Sequence, residues 1–198
     1  RPLFAVTSFD RNTVEQYPKL DRQPYLRQRS IERGEAFTEL NYIGQWRNNR
    51  ILYSLMPEEH LLRILRRVFD EDEFLSPHGI RSLSKSYKDQ NYTFKEGNET
   101  GSISYSPAES PIAMFGGNSN WRGPVWMPMN YLIIESLQKY AHFYGDDIKL
   151  EFPTGSGNYM NLWDISLEIE KRLVSIFQKK SDGNRPFQGK NSSIKQDE

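Results

Sequence analysis

The sequence predicts an all-α fold. Three amphipathic segments, 57–70, 128–144 and 161–177, carry that expectation. Long stretches rich in aromatic residues and glycine run between them, and no sustained apolar–polar alternation marks a strand. A length of 198 residues allows one domain with a sizeable core.

At the start of the chain, Leu3, Phe4, Ala5, Val6 and Thr7 form a short apolar run, expected as the tail of a buried helix that begins upstream. Residues 8–50 are charged. Weak helical patterning over 14–26 and 36–46 is interrupted by Pro18 and Pro24. The pattern sharpens over 57–70. Pro57 suits a first helical position, and Glu58 and Glu59 suit the positive end of the helix dipole. Leu61, Leu62, Ile64, Leu65, Val68 and Phe69 then recur at spacings of three and four, with Arg63, Arg66 and Arg67 on the other face.

Residues 71–126 hold no convincing helix and are dense in Ser, Gly, Pro, Asn and Tyr. Phe74, Leu75, Ile80, Tyr105, Trp121 and Trp126 nevertheless need burial or a ligand. The stretch is therefore expected to be an ordered, function-bearing connection, with its polar middle (88–101) a mobile excursion. In 128–144, Leu132, Ile133, Ile134, Leu137, Tyr140, Ala141 and Tyr144 cover more than half the circumference, so this helix is mostly buried, and Gly145 is its natural C-cap. Thr154-Gly155-Ser156-Gly157-Asn158 makes the turn before the third helix. One domain is expected over 1–180 and a polar, fraying tail over 181–198.

Composition excludes several functions. Lys+Arg and Asp+Glu number 26 each, for a formal net charge of +0 and a sequence pI of about 7.1. No basic footprint for nucleic acid or anionic lipid is present. Mean hydropathy is −0.76, and no apolar run approaches the ~18 residues of a membrane span. Without cysteine there is no disulfide scaffold and no thiolate site. His60, His78 and His142 match no metal spacing, so neither metal nor cofactor is expected. Aromatic residues reach 13%, and in so polar a chain that points to sugars: flat rings cover pyranose C–H faces while polar groups bond the hydroxyls. The chain begins at Arg1 without a leader, which suggests a piece of something longer, though a processed mature chain would look the same. Three N-x-[ST] triplets, at Asn91, Asn98 and Asn191, matter only in a secretory path; a cytoplasmic location is expected.

The most informative stretch is 115–131, FGGNSNWRGPVWMPMNY. Two tryptophans five residues apart flank a cation and a Gly-Pro just before a buried helix. Gly116 and Gly117 permit close backbone approach. Arg122 offers a rigid fork of donors for vicinal hydroxyls or a carboxylate. Asn118, Asn120 and Asn130 both donate and accept, as hydroxyl ligands require. These parts favour a neutral polyhydroxylated ligand. The plainer alternative is that the tryptophans only pack and Arg122 makes a cation–π contact or holds a loop.

The segment GGNSNWRGPVWMPMNYL resembles the signature of glycoside hydrolase family 63, which includes the processing α-glucosidases acting on mannosyl oligosaccharides. Within it, the chain more closely resembles a branch of microbial and fungal glucosidase-like proteins. DEDEFLSPHGIRSLSKSY (70–87), the block over 105–147 and FPTGSGNYMNL (152–162) fit in order, while 8–50 fits only loosely. A trehalase-like hydrolase has a similar Trp-Arg-Gly element; GGNSNWRGPVW and FPTGSG favour family 63.

The resemblance implies an (α/α)6 toroid with the sugar bound among loops at one end. This chain would supply about a third to a half of that toroid, so the missing segments or a second copy are its expected partners, beside an oligosaccharide substrate. It also implies hydrolysis of α-glycosidic bonds with inversion, by an acid Asp upstream of this region and a base Glu in a segment following Gly189. Residues 190–198 do not resemble that segment, so no catalytic residue is assigned. The cluster Asp70-Glu71-Asp72-Glu73 is read as a solvated helix end, and Glu109, Glu135 and Asp164 are not assigned as acid or base. The substrate-contact role falls on Trp121, Arg122 and Trp126, with Asn120, Gly123 and Asn130 as supports. Gly79-Ile80-Arg81-Ser82 is placed on a neighbouring loop of the same rim, Arg81 as a structural salt bridge and His78 as a satisfied loop histidine. The expected function is thus a portion of an α-glucosidase-like hydrolase. The alternative is a non-catalytic carbohydrate-binding or scaffold protein derived from a truncated hydrolase.

Overall fold

A computed structural model describes residues 2–21, 23–34, 43–97, 99–107 and 120–189. The fold is mixed α/β, which overturns the all-α toroid: the described residues form five α-helices and nine short strands in four small antiparallel sheets. The physical reason lies in the strands. They are two to five residues long, and their turns set them, so they show no alternation long enough to register as a period. The chain divides into two units, Arg1–Arg67 with Tyr131–Ser166, and Val68–Asn130 with Leu167–Glu198.

In the first unit, the apolar run at the start is not a helix tail. Pro2–Phe4 is a 3-10 turn and Val6–Asp10 is strand β1. Helix α1 (Arg11–Gln16) stops before Pro18, which opens a 3-10 turn, and α2 runs Gln23–Arg33 with Pro24 in its first turn. Of the helical pattern expected over 36–46, residues 36–42 lie outside the described residues and the rest belongs to strand β2 (Ile43–Arg47). β2 turns back into β3 (Arg50–Ser54) through Asn48 and Asn49, both left-handed (φ 46° and 66°). Two consecutive positive φ angles define the turn whose twist matches a hairpin, and asparagine tolerates them. β3 is central in the order β1-β3-β2, and its Ile51 and Leu52 are buried.

Helix α3 (Glu58–Val68) matches its predicted span, with Leu61 and Leu65 fully buried. The Pro57 carbonyl accepts the Leu61 N–H at 3.0 Å, so Pro57 sits just before the helix and not inside it. At the other end Thr154 Oγ1 donates to the Arg66 carbonyl at 2.6 Å, satisfying an acceptor the helix cannot satisfy itself. Helix α4 (Met127–Tyr144) ends at Gly145, which is left-handed as predicted (φ 57°). The 154–158 turn does not lead straight into a helix. It joins strands β8 (Lys149–Glu151) and β9 (Tyr159–Asn161), and α5 (Leu162–Val174) follows. Asn161 Oδ1 accepts the Asp164 N–H at 2.8 Å, an N-cap. Tyr140 and Tyr144 stack on α4, and the Tyr140 hydroxyl pairs with Ser54 Oγ at 2.8 Å. The Arg47 guanidinium lies 5.2 Å from the Tyr144 ring centre.

In the second unit, 71–126 contains no described α-helix but carries two hairpins. β4 (Leu75–Ser76) pairs with β5 (Gly79–Ile80), and β6 (Tyr92–Glu96) with β7 (Glu99–Ile103). The second hairpin occupies the place of the polar excursion expected over 88–101. Past α5, turns continue to Phe177. Of the stretch expected to fray, a 3-10 turn at Pro186–Gln188 returns to that end: the Phe187 N–H donates to the Ile176 carbonyl, and Phe187 and Phe177 lie 5.9 Å apart. Residues 190–198 lie outside the described residues. Among the described residues, no helix is long and apolar enough to cross a membrane.

Burial, with the nearby Glu58 carboxylate adding to it, pushes the Tyr144 hydroxyl up to about 12. Burial also raises Tyr140, partly offset by its bond to Ser54. The folded-state value of Tyr144 exceeds its unfolded value near 10, so its contribution is complete below pH ~10 and lost as the pH rises toward 12. We expect a loss of about 2 kcal/mol across that window, measured by urea unfolding, with tyrosinate absorbance from Tyr144 emerging only at its upper end.

Candidate functional site

The segment singled out by the sequence is described from Asn120 onward; Gly116, Gly117, Asn118 and also Glu109 lie outside the described residues. It reaches α4 through turns and bends that an isolated antiparallel bridge ties to 79–82. Arg81 bridges Val125, the Ser82 N–H donates to the Pro124 carbonyl at 3.0 Å, and the Gly123 N–H donates to Ser82 Oγ at 3.0 Å. The two loops expected on one rim are therefore neighbours.

Asn130 fixes this pairing. Its side chain is fully buried; Oδ1 accepts the Ile80 N–H at 2.7 Å, and Nδ2 donates to the carbonyls of Ile80 (2.8 Å) and Trp126 (3.0 Å). The amide is spent on backbone. Gly79 makes room for it: with φ 126°, a Cβ there would lie 2.9 Å from Asn130 Oδ1 and 2.8 Å from Leu173 Cδ2. Gly123 is required for a similar reason. Its φ is 116°, and a Cβ would lie 2.2 Å from the Tyr105 ring.

Trp121 and Trp126 meet edge to face, centroids 4.5 Å apart and planes at 76°. Trp121 is 45% exposed, while Trp126 and Asn120 are half-buried. Arg122 between them is buried, at 1% exposure. Its Nη1 reaches Ser104 Oγ at 3.5 Å, and its carbonyl accepts the Ser106 N–H at 2.7 Å. Nε and Nη2 find no hydrogen-bond partner among the described residues. A buried cation with two idle donors is costly unless an anion or a set of oxygens meets it. The planar fork fits a carboxylate or a pair of vicinal hydroxyls.

The remaining polar residues are engaged elsewhere. Among the described residues Arg81 forms no salt bridge: its Nη1 gathers the carbonyls of Glu71, Glu73 and Leu75, fixing the acidic turn. In that turn Asp70 Oδ1 accepts the Asp72 N–H, Glu71 pairs with Arg172 at 3.6 Å and Asp72 with Lys85 at 3.3 Å. His78 Nδ1 lies 3.3 Å from Ser175 Oγ. No cluster of three or more His, Asp or Glu able to hold a metal occurs among the described residues. Sequence reasoning placed Ser82 on the neighbouring loop but missed Ser104 and Tyr105 as neighbours of the site. Only the extent of the 105–147 block hinted at Tyr105, and no spacing rule marks Ser104.

The C-terminal domain of glycosyl hydrolase family 63 matches residues 4–152. The chain is 38% identical to "Uncharacterized protein YMR196W" of Saccharomyces cerevisiae over 188 residues, which is 93% of this chain and 17% of that protein. It is 33% identical to a "Probable mannosyl-oligosaccharide glucosidase" of Schizosaccharomyces pombe over 104 residues, 50% of this chain and 10% of that one. The chain thus spans less than a fifth of the length of either relative. No solved structure matches it.

The hydrogen bonds of Asn130 predict that Asn130→Ala lowers stability by about 2–4 kcal/mol, since the Ile80 N–H loses its acceptor inside the protein. Gly79→Ala is expected to cost a comparable amount, because the new methyl group must displace the same amide. Denaturant unfolding of the two variants and of the double variant measures both terms, and the double should fall short of additive only by the part due to the amide, since the strain at φ 126° and the Leu173 contact remain.

Proposed function

The chain belongs to glycosyl hydrolase family 63, and on that premise we propose that it forms the substrate-holding part of a hydrolase that cleaves α-glucosidic bonds of oligosaccharides with inversion. The observation that carries the reading is Arg122: a buried guanidinium with two donors unmet among the described residues, beside a half-exposed tryptophan. The name of the Schizosaccharomyces pombe relative supports the oligosaccharide class.

Inversion needs two carboxyl groups roughly 6.5–9.5 Å apart, one protonating the glycosidic oxygen as the C1–O bond breaks, the other taking a proton from the water that attacks the opposite face of C1. We assign both to segments of the whole protein outside this chain. In this reading Trp121 covers the apolar face of one sugar ring, and Trp126 holds Trp121 by its edge contact. Asn120 bonds a hydroxyl. Arg122 binds vicinal hydroxyls or fixes one of the carboxylates, and its burial makes that bond strong. Gly123 and Asn130 shape the backbone on which these groups stand.

Calorimetric titration with a short α-gluco-oligosaccharide tests this. The 198-residue chain should bind the sugar without turning it over, and Trp121→Ala and Arg122→Ala should each remove the share of binding that depends on this loop. Turnover that vanishes in both variants would place the acid and base inside this chain, against the assignment made here. Binding unchanged in both would remove the site. Arg122→Met separates the roles further: removing a buried charge that has no counter-charge among the described residues should raise stability by about 1–4 kcal/mol in denaturant unfolding, while sugar binding at this loop is lost.

A further inference from the structure

The β6–β7 hairpin has no part in the site around Arg122, yet it carries aromatic residues on a solvated face. All five residues of β6 are exposed, Tyr92 and Phe94 included. Residues two apart share a face of a strand. The two rings stack there, centroids 6.3 Å apart with 26° between planes. Tyr87, from the 3-10 turn Lys85–Tyr87, meets Tyr92 edge to face at 5.8 Å.

The strip depends on a glycine. Phe94 pairs across the hairpin with Gly101, and a Cβ at Gly101 would lie 2.3 Å from the Phe94 ring. Only the absence of a side chain at that position lets the ring lie flat along the sheet. Beside the rings is a recess of about 370 Å³ lined by Ser86, Tyr87, Gln90, Asn91, Tyr92 and Thr93. All six are uncharged, and all six carry a hydrogen-bonding side chain.

Charge selects the class of ligand. An anion, a cation or a metal finds no counter-charge in this lining. Amides and hydroxyls that both donate and accept match the hydroxyls of a neutral sugar, and the stacked rings match its C–H faces. We propose that the recess and the Tyr92–Phe94 strip form a second, non-catalytic site that holds a neutral oligosaccharide chain. The proposal rests on the oligosaccharide reading of the family, but its residues are distinct from those around Arg122.

The test is titration of the 198-residue chain with maltoheptaose, with circular dichroism confirming that each variant is folded. A Trp121→Ala/Arg122→Ala double variant, lacking the first site, should still bind. In that background Tyr92→Ala and Gly101→Ala, the latter keeping every aromatic but tilting Phe94, should each weaken binding about tenfold. Affinity unchanged by both hairpin substitutions overturns the proposal. So does loss of all binding in the double variant, which leaves the Arg122 site standing. The converse pattern, binding lost with Tyr92→Ala but intact in the double variant, upholds the hairpin site and removes the first.

Discussion

The loops of the second unit are held in register by one buried amide. Asn130, in the first turn of α4, offers its oxygen to the Ile80 N–H and its nitrogen to the Ile80 and Trp126 carbonyls, and so behaves as a short piece of extra strand between two chain segments. Neighbouring features follow from that geometry. Residue 79 must lack a side chain because the amide oxygen fills the space. Ser82 is brought within reach of the Gly123 N–H, and Arg81 opposite Val125. Gly123 is then held under Tyr105, and Arg122 is turned to the interior. A side-chain hydrogen bond is worth little net when water could replace it; here water cannot, and the full desolvation cost of an orphaned backbone group stands behind the arrangement.

Asn130 and Arg122 are both buried and polar, but they differ in what satisfies them. Asn130 has its hydrogen bonds supplied from within the same unit, whereas Arg122 has two donors without partners among the described residues. In the reading proposed above, that contrast separates a group that holds the fold from one that meets an external oxygen.

The sequence was legible where burial follows a long period. Leu61, Leu65, Leu137, Tyr140 and Ile165 lie on helices that periodicity locates, and all are buried. It was illegible where two residues make the decision. Asn48-Asn49 creates a hairpin just beyond a stretch (36–46) read as weakly helical, and Gly101 opposite Phe94 sets a strip that no alternation announces. The toroid failed for that reason: five-residue strands bounded by polar turns leave no periodic trace, and the family resemblance carried the architecture further than the residues did. In the candidate site, the clustering of Trp121, Arg122 and Trp126 could be read from contiguity. The inward commitment of Asn130 could not, because an asparagine able to bond a sugar is equally able to bond a backbone.

The contact between Trp121 and Trp126 gives the protein a built-in optical reporter. Two indoles 4.5 Å apart and 76° to one another have coupled electronic transitions, and a chiral pair of that kind splits its absorption into circular dichroism bands of opposite sign. The other tryptophans, Trp46 and Trp163, belong to the other unit, so such a couplet would report the loop that presents Arg122. Ordering of that loop can therefore be followed through its own chromophores, without label or substrate.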